Sequence, residues 1–293
     1  MIERAFGGDW TENKLRRLRD YLVAYRSIFT ANPSARHFKT WYVDAFAGTG
    51  SRTSPISTKS TEEEGTPDTE ADKFFEGSAR IALSIPSPFD RYLFVEGVKK
   101  RTAALQTMVA GEFSQLAPRI DIKTDDANVA LTQWCGSRDW SAERAVVFLD
   151  PYGMQVSWNT VQMLGDTKGV DLWYLFSLAG VIRMLTRDGV IDESWQKRLD
   201  AVFGTADWKG HFYRTEMTAD LFGLYEVTRR DATAQNVVSY IEGRLKSAYV
   251  AVAPSLVLRN SKSFPLFAFC FAASNPKGAS TALKIATHLL KEE

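Results

Sequence analysis

Four apolar runs in this chain end, one after another, in a carboxylate: TWYVD at Asp44, RYLFVE at Glu96, RIDIKTDD at Asp125 and Asp126, and AVVFLD at Asp150. Each is short and rich in β-branched and aromatic residues, which reads as a strand. Helix-like stretches lie between them at Lys99–Ala110 and Asn128–Trp134, and VDLWYLFS at 170–177 adds a fifth strand-like run. Strands alternating with helices predict an α/β, Rossmann-like fold whose mostly parallel sheet is covered on both faces. Sheets of this kind take ligands at the carboxyl ends of their strands. Four acidic ends in succession are therefore read as one binding edge, since four independent solvated loops would be a coincidence.

The first strand breaks into Asp44-Ala45-Phe46-Ala47-Gly48-Thr49-Gly50. A strand-end carboxylate followed by glycines lets backbone approach a ligand and suits a nucleotide-like molecule with a charged amino-acid tail. Phe46 stands where a dinucleotide fingerprint has its first glycine, which argues against a pyrophosphate cofactor. Glu96 can accept from both hydroxyls of a ribose. Asp125 and Asp126 stand where a carboxylate could accept from an adenine amine, although Asp-Asp-Ala-Asn would also cap a helix.

Around this centre, residues 10–29 place Leu15, Leu18, Leu22, Tyr25 and Phe29 at helical spacing, with Thr11 as the expected N-cap. The opposite face carries Lys14, Arg16, Arg17, Arg19 and Arg26, expected to be solvated, or else to attract a polyanion together with Lys99, Lys100 and Arg101. Residues 1–39 are expected to form a helical extension and 53–73, rich in Ser, Thr, Pro and Glu, a mobile loop. Residues 181–232 carry many aromatics without a sheet pattern and are expected to be a helical insertion. A strand near Tyr249–Leu258, a turn at Asn260–Phe264 and the apolar run 265–274 predict an antiparallel C-terminal hairpin before a helix at about 279–291. Trp158, Trp173 and Tyr174 could stack on a base or belong to the core.

At 293 residues, 45% hydrophobic and 24% charged, the chain can bury a core as one domain spanning 1–293. A net charge of +1 confines any polyanion binding to local clusters. Two distant cysteines, Cys135 and Cys270, and three scattered histidines suggest neither a disulfide framework nor a metal site. With no secretory pattern at MIERAFGGDW and no apolar run near ~18 residues, the expected setting is cytoplasmic and no membrane is involved.

Over roughly residues 40–180 and the hairpin, the order of glycine-flanked Asp, ribose-type Glu, adenine-type Asp and Asp-Pro-aromatic resembles the class I S-adenosyl-L-methionine (SAM)-dependent methyltransferases. The resemblance implies SAM as cofactor, with Asp44, Phe46, Ala47, Gly48 and Gly50 around its methionine part, Glu96 on the ribose, Asp125 or Asp126 on the adenine, and Asp150 nearby. Asp150-Pro151-Tyr152-Gly153 is similar to the D-P-P-aromatic motif of amino-methylating enzymes, with Tyr152 where the second proline would be and Gly153 where the aromatic would be. It implies that Asp150, Pro151 and Tyr152 face a methyl acceptor, a nitrogen of a DNA or RNA base.

WTENKLRRLRDYLVAY, YVDAFAGTG, GSARIAL, FVEG, LDPYG and PLFAFCFAASNPKGA together resemble the three-Cys-motif partner proteins (TcmP) of bacteria and phages. That resemblance implies a partner, a radical-SAM-like protein carrying three cysteines. It leaves two roles open, a methyltransferase or a non-catalytic accessory subunit.

Overall fold

The computed structural model describes residues 9–50, 77–220 and 223–291. The loop expected at 53–73 lies outside them. The chain forms two compact units, the first holding the described residues through Trp134 together with Ser141–Asp150, the second Cys135–Trp140 and everything from Pro151 onward.

The first unit opens with α1 (Asp9–Ala31), followed by β1 (Lys39–Asp44), α2 (Ser78–Leu83), β2 (Arg91–Val95), α3 (Lys99–Glu112), β3 (Ile120–Lys123), α4 (Ala127–Gly136) and β4 (Glu143–Leu149). Its strands lie in the order β3-β2-β1-β4 and pair in parallel, with Asp44 level with Phe94 on one side and Phe148 on the other. The direction of strand addition reverses at β1, which marks a Rossmann-like topology and puts a crevice at the carboxyl ends of β1 and β4. Trp41–Asp44 and Val146–Leu149 are buried without alternation, as expected for strands covered on both faces.

The helix expected at 10–29 is present, but it begins at Asp9, so Thr11 lies within it and is not its cap. Leu15, Leu18, Tyr21, Leu22 and Tyr25 are buried at spacings of three and four. The opposite face is not the solvated one expected: Lys14, Arg17 and Arg26 are buried too, while Arg16 and Arg19 are exposed.

The second unit contains α5 (Trp158–Asp166), β5 (Val170–Ser177), α6 (Leu178–Met184), α7 (Glu193–Phe203), α8 (Trp208–Phe212), β6 (Tyr213–Asp220), β7 (Gly223–Arg230), α9 (Ala234–Ala248), β8 (Ala251–Val252), β9 (Leu256–Arg259), β10 (Pro265–Ala273) and α10 (Ala279–Leu289). β10 runs antiparallel to β5, and β9 and β10 form the expected hairpin, closed by Asn260, whose side chain accepts from the backbone of Lys262 and Phe264. The strand expected at Tyr249–Leu258 is split into β8 and β9 around Ala253-Pro254-Ser255, because proline cannot donate to a ladder.

Residues 181–232 are helical only as far as Phe212. Beyond it β6 and β7 pair as a separate antiparallel hairpin. Most of β7 is exposed, so no buried face imposes the alternation that marks a strand in sequence. Trp158, Trp173 and Tyr174 are core residues with at most 2% exposure, and Trp173 packs on Phe269 and Phe271. Among the described residues no helix is long and apolar enough to cross a membrane.

Candidate functional site at the carboxyl edge of the parallel sheet

Asp44 is the last residue of β1 and is fully buried. Its Oδ1 accepts from the Phe46 N–H at 3.1 Å, and the Ser78 hydroxyl at the start of α2 bonds the same carboxylate. Burial raises its pKa to about 7, opposed by those two hydrogen bonds and by the Lys14 charge and aided by the nearby Asp150.

The chain beyond Asp44 is held by the neighbouring strands. Ala45 N–H donates to Phe148 O and Ala47 N–H to Val95 O. Gly48 and Gly50 then adopt left-handed backbone, with φ of 59° and 68°. At Gly50 a Cβ would lie 2.4 Å from Met108 Cε and 2.9 Å from Leu105 Cδ1, side-chain ends of α3 that would have to move aside, on top of the strain of a left-handed φ. Arg80 on α2 donates to Gly50 O at 3.1 Å and forms an ion pair with Glu112 at the end of α3, bracing the turn.

Glu96 immediately follows β2 and is 3% exposed. One of its oxygens accepts from Gly48 N–H at 3.1 Å and the other from Val98 N–H at 2.9 Å. A carboxylate has about four lone-pair sites, so each oxygen can accept once more. This side chain locks the glycine turn of β1 to the head of α3.

Asp125 and Asp126 follow β3 and have different roles. Asp126 Oδ1 accepts from Asn128 N–H at 2.9 Å and Val129 N–H at 3.1 Å, capping α4. Asp125 accepts from Asp126 N–H, and its carbonyl lies 3.8 Å from where a Cβ on Gly97 would be, which brings it beside the Glu96 turn. Val98 and Val129, at the heads of α3 and α4, are exposed aliphatic side chains next to these carboxylates.

Asp150 closes the first unit and is 3% exposed. Its Oδ2 accepts from the Lys14 ammonium at 2.5 Å, and Lys14 is fully buried, 6.0 Å from the Phe148 ring centroid. Burial raises the Asp150 pKa, and the Lys14 charge and hydrogen bond oppose that rise. Lys14 is thus bonded to Asp150 while its charge also reaches the buried Asp44, and the three carry a net charge of −1 when all are ionised. Pro151, buried, and Tyr152, partly buried, open the second unit, where Gly153 N–H donates to Pro151 O at 2.8 Å.

The structure therefore gathers Asp44, Phe46, Ala47, Gly48, Gly50, Glu96, Asp125 and Asp150 in the first unit and makes Asp126 chiefly a helix cap. Lys14, Ser78, Arg80, Val98 and Val129 were not anticipated there. For Lys14 a signal exists: it precedes Leu18, Tyr21 and Tyr25 at i+4, i+7 and i+11, within the apolar stripe of α1.

No family model matches the chain, and no curated protein matches it. Solved structures with similar backbones include a SAM-dependent methyltransferase from Clostridium acetobutylicum (8% identity, 88% of this chain and 91% of that one, TM-score 0.37). Another is an O-methyltransferase from Bacillus cereus in complex with SAH (12%, 78% and 84%, TM-score 0.35). A third is a methyltransferase from Geobacter sulfurreducens (14%, 73% and 78%, TM-score 0.30).

Proposed function

We propose that this chain binds SAM at the carboxyl edge of its parallel sheet and transfers the methyl group to a nitrogen of a nucleic-acid base, working with a radical-SAM-like protein that carries three cysteines. The observation that carries the cofactor reading is Glu96, a nearly buried carboxylate held at both oxygens by backbone N–H groups with acceptor capacity to spare. Such a group suits two vicinal hydroxyls of a ribose. The surroundings fit the rest of the molecule. Left-handed glycines at 48 and 50 bend the chain away from the strand end, Val98 and Val129 supply apolar walls for an adenine beside Asp125, and the net negative Asp44–Lys14–Asp150 cluster suits a cationic methionine portion.

The cofactor, when bound, supplies an already activated methyl group. The protein's task is then positioning and charge complementarity. Glu96 holds the sugar, Asp44 stiffens the turn through Phe46, and Asp150 accepts from the amine through lone pairs that Lys14 leaves open.

One observation favours a second reading. The carboxylate that would orient the acceptor is already bonded to a buried ammonium, which suits an accessory subunit that keeps the cofactor site and serves its partner without transferring methyl itself.

Calorimetric titration with SAM and S-adenosylhomocysteine tests the cofactor reading. Wild-type protein should bind in the micromolar range and Glu96→Ala about 100-fold more weakly, since two hydrogen bonds to a charged acceptor are worth about 3 kcal/mol or more. No binding by the wild type overturns it. Methyl transfer to nucleic acid by the isolated chain, lost in Asp150→Ala while SAM still binds, supports the enzyme. Transfer unchanged in Asp150→Ala removes Asp150 from that role, and co-purification with the three-cysteine protein without transfer by the isolated chain supports the accessory subunit.

A further inference from the structure

At the opposite edge of the same sheet, where the parallel strands begin, an open cavity of about 610 Å³ is lined by Arg26, Phe29, Thr30, Arg36, His37, Phe38, Lys39 and Asp90. The cations on it are of two kinds. Arg26 is buried and committed: it donates to Thr40 Oγ1 and Ser87 O and lies 3.7 Å from Asp90. Arg36 and Lys39 are exposed. Arg36 Nε donates to Thr30 O at 2.8 Å, which fixes the guanidinium plane and leaves its two terminal nitrogens unbonded among the described residues. The Lys39 ammonium lies 5.7 Å from the Trp41 ring centroid with no carboxylate within ion-pair distance among those residues.

Asp90 is the sole carboxylate among the described lining residues, and it does not neutralise them. It already accepts from Thr40 N–H at 2.8 Å and Thr40 Oγ1–H at 2.6 Å, with Arg26 beside it. A concave site with an oriented guanidinium, an ammonium and an imidazole, and with its acid spent, fits an oxyanion.

The aromatic rings identify which part of a nucleic acid would bind. Phe38 has the Arg144 guanidinium 3.8 Å and the His37 ring 3.9 Å from its centroid, and Phe29 packs on Tyr25 at 4.7 Å, so both lining phenylalanines are already engaged by neighbouring side chains. Further cations stand at this end of the neighbouring strands: Arg119 before β3 and Arg91 opening β2, level with Trp41 and so on the face of Lys39, while Arg144, level with Thr40, belongs to the other face and is held over Phe38. Two inter-strand steps of ~4.8 Å, from Lys39 to Arg119, make this a track about 10 Å long. Asp121 and Glu143 share the edge, and Glu143 accepts from Trp41 Nε1. Among the described residues no large exposed apolar side chain adjoins the cavity, as an interfacial membrane contact would require.

We propose that the cavity at the amino end of β1 is a phosphate site for the backbone of a polynucleotide, with Arg36 and Lys39 as its main contacts and His37 beside them. It deepens the nucleic-acid part of the proposed function and is independent of the cofactor reading. Contacts of this kind set register and orientation on the substrate and carry no sequence information.

The test is fluorescence anisotropy of the full chain with labelled 20-nucleotide DNA and RNA of unrelated sequences across a salt series, for wild type and Arg36→Glu/Lys39→Glu. The wild type should bind all sequences alike, and the variant at least tenfold more weakly at low salt. The slope of log affinity against log salt should fall by about 1.4, two phosphate contacts at ~0.7 each for single strands. Because both side chains are exposed, the thermal midpoint should be unchanged, and SAM titration of the same variant should match the wild type whether or not the wild type binds SAM.

Equal oligonucleotide affinity in variant and wild type overturns the proposal, as does a wild type that binds no oligonucleotide at low salt. So does inorganic phosphate competing at the concentration at which the oligonucleotide binds, which would make this a small-anion site. Binding of anionic vesicles, lost in the variant, with no oligonucleotide binding would make it a membrane contact and overturn it equally.

Discussion

Lys14 and Asp150 stand 136 positions apart in sequence and meet at 2.5 Å, their side chains 0% and 5% exposed. The pair ties α1 to the carboxyl end of β4, so the N-terminal helix is part of the edge that carries the candidate site. It also sets the charge there, because Asp44 is buried within the field of both residues.

Removing the cation should be costly. Lys14→Met leaves two buried carboxylates without their ammonium, and breaking one side of a buried pair costs roughly 3–5 kcal/mol. Adding Asp150→Leu should restore about 2 kcal/mol or more of that loss, because it removes the carboxylate that was bonded to the ammonium and leaves only Asp44, whose raised pKa lets it take up a proton. Urea unfolding of the two singles and the double measures the coupling. A Lys14→Met variant within about 1 kcal/mol of wild type would mean that the pair is solvated in solution.

The parts of this edge that could be read from sequence are those governed by local chemistry. TWYVD and AVVFL announce buried parallel strands because both faces are apolar, and the carboxylate ending each strand follows from register alone. The β6–β7 hairpin was missed because its exposed strands lack an alternating pattern, and the split of β8 from β9 turns on a single proline. Lys14 and Asp150 were each read separately, one as a solvated helix cation and the other as a substrate acceptor. Their meeting is a tertiary fact that no local window contains.

Asp44 predicts a pH dependence. Its folded pKa of about 7 lies above the ordinary 3.8, so the folded protein holds this proton more tightly than the unfolded chain does. The resulting stabilisation is fully present below the ordinary value and is lost as pH rises through about 7. Urea midpoints between pH 5 and 8 should fall for the wild type and fall less for Asp44→Asn, which cannot ionise. Equal slopes would show that Asp44 titrates normally.

Two glycines, one packed against α3 and the other within it, should respond in opposite ways. Gly50→Ala forces a Cβ into Met108 and Leu105 at a left-handed φ and should lose more than about 1 kcal/mol. It should also weaken SAM binding by displacing the turn that Glu96 holds. Gly111, inside α3 with nothing within 4 Å of a built Cβ, should gain about 0.5–1 kcal/mol as alanine. Thermal melts of both variants test the contrast, and equal effects would argue against the packing of the turn on α3.

Val98 and Val129 test where the adenine lies. Both are exposed, 48% and 46%, and Val98 is the N-cap of α3, so replacing either with Asp should not destabilise the fold and at Val98 should add up to about 1 kcal/mol. If they line the adenine slot, a charge on either wall desolvates poorly against the ring and repels Asp125. SAM affinity should then fall roughly 10- to 100-fold, 1.4 kcal/mol for each factor of ten. Val250, 58% exposed in the second unit, serves as the control, and Val250→Asp should titrate like wild type. If Val98→Asp and Val129→Asp bind SAM as tightly as this control, the adenine is not held between the heads of α3 and α4, and Asp125 loses its assignment with it.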